Sequence, residues 1–160
     1  MAKYLALLAI CLPKFIAVEN TDAPLLHTAV YKQILRVKPD IEPRYAAHLT
    51  VSVYEVARAF KIEPKLLVAI LAQESMFNPL AINRSSKDYG LAQINHNTAK
   101  AYKFDLKRLM VDSKYSIWAA GVILSDFNKI HKRERDAWTR YNSSNPEKRQ
   151  KYKVLVARYM

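Results

Sequence analysis

Leu66-Leu67-Val68-Ala69-Ile70-Leu71-Ala72-Gln73-Glu74-Ser75-Met76-Phe77-Asn78-Pro79 is the stretch on which the reading of this chain turns. Its apolar residues run without interruption through two helical turns, as in a helix buried on every side. Glu63-Pro64 opens the helix, with proline in the first turn where its missing N–H costs nothing. The one acid in the run, Glu74, falls in the last turn. Burial disfavours its charged form, and the negative end of the helix dipole acts in the same direction. Both raise the pKa above the ordinary glutamate value of about 4.3. A carboxyl group held neutral near neutral pH is suited to general acid catalysis.

The surrounding sequence predicts a mostly α, single-domain protein. The chain has 160 residues and only two glycines, with long stretches rich in Ala, Leu, Val, Ile and Lys. That is enough for one real core and too little for two. Upstream, Leu25, Leu26, Val30, Ile34 and Leu35 recur near helical spacing and should stop at Lys38-Pro39-Asp40. Ala46, Leu49, Val53, Val56, Ala57 and Phe60 define a helix from about Arg44 to Phe60, although Thr50-Val51-Ser52-Val53 alone would also suit a strand. Downstream, a polar loop is expected from Asn78 to Tyr89, then a short helix over Asn97–Tyr102 and a brief turn from Asp105 to Met110. Asp112-Ser113 should cap a long helix from Lys114 to His131, with Ile117, Trp118, Gly121, Val122, Leu124 and Phe127 on its apolar face. Further helices are expected over Arg135–Tyr141 and, after Asn145-Pro146, over Glu147–Tyr159.

The formal net charge is +12, from 26 Lys and Arg against 14 Asp and Glu, which makes a polyanionic partner plausible. Nucleic acid and bacterial cell wall both qualify. The excess is dense between Lys129 and Arg158, where Glu134, Asp136 and Glu147 are the opposing acids; the simpler reading is a solvated helix surface. No DNA-reading motif accompanies the charge, so no specific nucleic acid is expected. Cys11 is the one cysteine, which excludes an intramolecular disulfide. His27, His48, His96 and His131 lack the spacing of a zinc hydrolase, so no metal and no cofactor are expected. Met1-Ala2-Lys3 and the apolar run Tyr4 to Leu12 resemble the start of an export signal, too short to anchor in a bilayer. Phe15-Ile16-Ala17 is a poor cleavage site and Cys11 a weak lipidation site. The alternative is an amphipathic arm. The expected organisation is a leader over residues 1–20, a helical extension over 21–43 and the main domain over 44–160.

Three segments resemble the lysozyme-like lytic transglycosylases, which cut bacterial peptidoglycan. Gln73-Glu74-Ser75-Met76-Phe77-Asn78-Pro79 is similar to that family's E-S-x-F-N-P motif. Tyr89-Gly90-Leu91-Ala92-Gln93-Ile94-Asn95 is similar to its G-L-M-Q-I turn, with Ala92 where methionine is common. Arg140-Tyr141-Asn142 is similar to its A-Y-N motif, with Arg140 in place of alanine. The likeness spans about Pro64 to Tyr159. It implies a lysozyme-like domain with a loop or small hairpin flanking an active-site cleft, and Glu74 as the sole catalytic acid and base. It further implies that Ser75 orients sugar or loop, that Gln93 meets an N-acetyl group or peptide stem, and that Tyr141 donates its phenol to Glu74 or substrate. Asn142 would fix the adjacent loop, and Gly90 would allow close backbone approach or a positive φ.

The segment from Asn83 to Asn95 is also similar to the part of animal-type lysozymes that carries a second catalytic carboxylate, which makes Asp88 a candidate for that role. A retaining hydrolase needs the two acids about 5 to 5.5 Å apart and an inverting one about 6.5 to 9.5 Å. The resemblance thus implies glycan strands of peptidoglycan as partner and a 1,6-anhydromuramic product, with a hydrolytic lysozyme as the alternative and, behind it, a basic nucleic-acid-binding protein or a catalytically inactive glycan-binding one. It places the protein in the periplasm or cell envelope, serving a secretion or conjugation apparatus, or else in a phage virion.

Overall fold

A computed structural model describes residues 23–160. The expected leader over residues 1–20, with its apolar run, Cys11 and the cleavage segment, lies outside the described residues. Among the described residues no helix is long and apolar enough to cross a membrane.

The fold is mostly helical and lysozyme-like. Helices α1 (Ala23–Val37), α2 (Pro43–Phe60) and α3 (Pro64–Ser75) come first, followed by three two-residue strands, β1 (Ile82–Asn83), β2 (Asp88–Tyr89) and β3 (Ile94–Asn95). Helices α4 (His96–Ala101), α5 (Leu106–Val111) and α6 (Ser113–Ile130), a 3-10 turn (Ala137–Tyr141) and α7 (Pro146–Ala157) complete it. Local chemistry sets the boundaries. The Glu42 carboxylate accepts from the N–H groups of Arg44 and Tyr45, and Glu63 accepts from Leu66. Asp112 caps α6 through the Tyr115 N–H and Asn145 caps α7 through that of Lys148. Each side chain satisfies donors that the first helical turn leaves unpaired.

Helix α3 is the central element. Six consecutive residues, Leu67 to Ala72, are buried, and α1, α2 and α7 pack around it. Helix α1, expected as part of an extension, contributes Val30 and Ile34 to the same core. Gly121 lets α6 approach α2: a Cβ there would lie 2.5 Å from Val56 Cγ1 and 2.7 Å from Phe60 Cδ2.

The Thr50–Val53 stretch is helical, as the reading of Arg44 to Phe60 expected, and Thr50 Oγ1 donates back to the Ala46 carbonyl at 2.8 Å. Other expectations need correction. The polar segment after Asn78 is a three-stranded antiparallel ribbon in the order β1-β2-β3, pairing Asn83 with Asp88 and Asp88 with Asn95. Strands of two residues are too short to show a period-two pattern in the sequence. The expected helix over Arg135–Tyr141 is a shorter 3-10 turn. Trp118, assigned to the apolar face of α6, is 41% exposed; it leans instead on the rings of Phe104 and Tyr115.

Candidate active site

Helix α3 carries Glu74 out of the core and stops one residue later. Met76 caps it in the left-handed region at φ 51°, and Phe77 follows at φ 62° with its ring buried. Two consecutive left-handed residues without glycine are costly, on the order of 1 kcal/mol or more each. Burial of the Phe77 ring offsets that cost and reverses the chain away from the helix end. The carboxyl group of Glu74 is thereby left facing a cleft of about 660 Å³.

The ribbon closes one side of that cleft, and the turn Gly90–Gln93 is tied down from four directions. Ser75 Oγ donates to the Leu91 carbonyl at 2.7 Å, joining the turn to α3. Ser116 Oγ, buried on α6, accepts from the Ala92 N–H at 3.1 Å. The Tyr141 hydroxyl donates to the Ala92 carbonyl at 2.8 Å. Gln93, itself left-handed at φ 46°, donates its amide to the carbonyls of Ala81 and Gly90, both at 2.9 Å. Gly90 combines both properties expected of it. Its φ is +73°, and a Cβ there would sit 1.8 Å from the Leu109 carbonyl oxygen.

Among the residues lining the cleft are Glu74, Asp88, Gln93, Tyr141 and Asn142, together with Asn95, Arg140 and Lys148. The fold thus brings together five of the seven residues expected at the site. Ser75 and Gly90 act behind the cleft, through the turn. Of the two partners that the resemblance implied for Tyr141, Glu74 or substrate, it does not donate to Glu74; its phenol is committed to the Ala92 carbonyl. Burial raises the Tyr141 phenol well above its ordinary value, and the charges of Glu74 and Asp88 raise it further, so it stays a donor.

A different phenol reaches the acid. Tyr152, on the buried face of α7, donates to Glu74 Oε1 at 2.5 Å. The sequence assigns Tyr152 no place at the site. The available signal was the four-residue spacing of Tyr152 and Val156, which places both on one inward helix face. The Glu74 carboxyl is pushed up to about 7: burial is the largest cause, the Tyr152 hydrogen bond acts against it, and the negative charge of Asp88 adds to the rise.

Asp88 lies on the central strand of the ribbon. One of its oxygens accepts from Asn95 Nδ2 at 2.8 Å and the other from Ser86 Oγ. Asn95 also caps α4 through the Asn97 N–H, so Asp88 belongs to the network that holds the ribbon to the following helix. Ser116, Asn95 and Tyr152 are the site residues that sequence reasoning missed. Among the described residues no group of three or more His, Cys, Asp or Glu side chains is arranged to hold a metal ion.

The chain is thus a lysozyme-like helical domain that presents one carboxyl group, raised to about 7, to an open cleft. The family profile described as Transglycosylase SLT domain matches residues 52–154, and the chain belongs to that family. The match starts within α2, earlier than the motifs alone had suggested. Among curated proteins, the chain is 37% identical over 101 residues to Invasion protein IagB of Salmonella typhimurium (strain SL1344). That alignment covers 59% of this chain and 63% of the relative, so the chain spans less than two thirds of IagB. IagB of Salmonella typhi has the same identity and coverage. Protein IpgF of Shigella flexneri is 31% identical over 104 residues, covering 61% of this chain and 68% of IpgF. No solved structure matches the chain.

Proposed function

We propose that the protein is a peptidoglycan lytic transglycosylase that cleaves the β-1,4 bond between N-acetylmuramic acid and N-acetylglucosamine. The observation that carries this reading is Glu74, raised to about 7 within the cleft and held by Tyr152. A glutamic acid with that pKa keeps its proton in a large share of molecules at neutral pH. Glu74 protonates the bridging oxygen as the bond to the muramic C1 breaks and positive charge builds on that ring. The substrate's own acetamido oxygen stabilises the charge, as in substrate-assisted glycosidases. The Glu74 carboxylate then takes the proton of the muramic C6 hydroxyl as O6 bonds to C1. The acid is restored, no water is consumed, and the product ends in a 1,6-anhydro ring.

Family membership supports this outcome over hydrolysis, and so does the engagement of both Asp88 oxygens by Ser86 and Asn95. The presence of Asp88 in the same cleft favours the second reading, a lysozyme in which it assists attack by water. Mass spectrometry of muropeptides released from purified sacculi separates the two. Fragments lighter by one water support the transglycosylase, whereas reducing ends with loss of activity in Asp88→Asn select the lysozyme.

Two of the relatives carry the name Invasion protein. We infer, from the charged start and apolar run of Met1 to Leu12, that the chain is exported to the cell envelope, and that it opens the wall there for a secretion apparatus. Fractionation of cells producing the full chain tests the location: recovery in the cytoplasm alone refutes it.

A further inference from the structure

Within the basic segment from Lys129 to Arg158, Arg140, Arg149 and Lys153 are held by internal carboxylates, whereas Lys148 stands at the cleft. Glu134 accepts from Arg140 through Nε at 3.1 Å and Nη2 at 2.6 Å, and from Arg149 at 2.7 Å. Asp136 pairs with Lys153 at 2.6 Å. Glu134, so paired, sits far below the ordinary carboxylate range, at about 2, with Arg140 the leading cause. Two guanidiniums share this one carboxylate, so the group remains positive. Lys148 lines the cleft with Arg140, and no carboxylate among the described residues forms an ion pair with it. Its backbone N–H is engaged by the Asn145 cap, while its side chain is exposed.

Charge is therefore divided within the cleft. Glu74 and Asp88 enter from α3 and the ribbon, whereas Lys148 and Arg140 enter from the segment that ends in α7. A glycan strand bearing carboxylated peptides has one orientation that moves those carboxylates away from Asp88 and toward the cations. The opposite orientation brings like charges together in a confined space.

We propose that Lys148, backed by Arg140, binds a carboxylate of the substrate's peptide stem and so sets which way the strand lies across Glu74. The proposal rests on the peptidoglycan reading and deepens it, because it requires a stem-bearing substrate rather than bare glycan. An exposed lysine paired with a carboxylate contributes about two- to fivefold in affinity at low ionic strength. Arg140 is a poor probe because its removal breaks the Glu134 network, whereas Lys148 holds nothing else in place.

The test measures binding of the full chain, carrying Glu74→Gln to prevent turnover, to sacculi before and after the stem carboxylates are converted to carboxamides with a carbodiimide and ammonia, which leaves the strands and their stems in place. It is run with Lys148 intact, with Lys148→Gln and with Lys148→Glu, at low salt. Amidation should weaken binding about two- to fivefold when Lys148 is intact and by less than about 1.5-fold in Lys148→Gln. In Lys148→Glu the preference should invert, so that amidated strands bind more tightly than carboxylate-bearing ones. An equal loss on amidation in all three proteins, or no loss in any, overturns the proposal while leaving the glycan reading intact. Failure of the Lys148 protein to bind either preparation refutes the peptidoglycan reading and the proposal together.

Discussion

Tyr152→Phe isolates the interaction that tunes the acid. The phenol lies 2.5 Å from Glu74 Oε1 and holds the carboxyl down against burial and against Asp88, with the balance at about 7. A hydrogen bond to a charged group contributes about 1.5 to 3 kcal/mol, and one pKa unit corresponds to about 1.4 kcal/mol. Loss of the phenol should therefore raise Glu74 by about one to two units, nearer one because the cleft side admits water. The first step needs the proton on Glu74, so kcat/KM falls as pH rises through its pKa in the free enzyme. The falling limb of the profile on sacculi should lie near 7 in the parent and about one unit higher or more in Tyr152→Phe. The maximum should also be lower, because the carboxyl loses an orienting contact. Tyr141→Phe is the control: its phenol serves Ala92, so the limb should remain near 7. A limb that stays in place or moves to lower pH in Tyr152→Phe would refute the reasoning. Either Glu74 is then not the titrating group, or Tyr152 does not stabilise its ionised form.

Three further outcomes follow from the same geometry. Glu74→Gln should cost about 10² to 10⁴ in rate, measured as anhydro products released. Its stability effect should depend on pH. Because Glu74 is raised in the folded state from 4.5 to about 7, its contribution is whole below about 4.5 and is lost as pH rises through about 7. The loss is at most about 3 kcal/mol, so the variant should gain in Tm over the parent at pH 8 relative to pH 4. Gly90→Ala combines a strained φ of +73° with a Cβ 1.8 Å from backbone at Leu109. It should lower stability by about 3 kcal/mol or more, seen as a clear fall in Tm and in sacculus cleavage together. Glu134 is depressed to about 2 by Arg140 and Arg149, so its contribution is present above the unfolded value and lost as pH falls through about 2. Glu134→Gln should flatten the dependence of stability on pH in the acid range, read from urea midpoints between pH 5 and pH 2.

The parts of this protein that were legible in advance are those whose causes lie within a few residues. Glu63-Pro64, Asp112-Ser113 and Asn145-Pro146 announce helix starts because each cap binds an N–H three positions away. Glu74 could be singled out because the two helical turns before it, Leu66 to Ala72, are wholly apolar. Contacts between distant segments were not readable. Tyr152 and Glu74 are 78 positions apart, and Tyr141 and Ala92 are 49 apart. Both tyrosines belong to the C-terminal part of the chain, and nothing local says which phenol meets the acid and which meets the turn. Ser116 was missed for the same reason: within α6 it is one more small residue, and its partner at Ala92 is 24 positions away.

The opposition of burial and Tyr152 at Glu74 matters because, in the proposed reaction, one side chain must perform two contrary tasks. A carboxyl raised by burial alone would hold its proton firmly. It would be protonated in nearly every molecule, yet it would give that proton up poorly to the bridging oxygen. A carboxyl bonded to several donors in the open would be a ready anion, with no proton to give and little tendency to take one from the muramic C6 hydroxyl. A value near 7 lies between these limits, so neither transfer is far uphill at neutral pH. Burial comes from α3 and the core beneath it, the opposing hydrogen bond from α7, and the added negative charge from the ribbon. The protonation of Glu74 is therefore a property of how three separate segments meet. A change that leaves Glu74 in place but shifts α7 by a fraction of a hydrogen-bond length should alter the pH profile before it alters the fold.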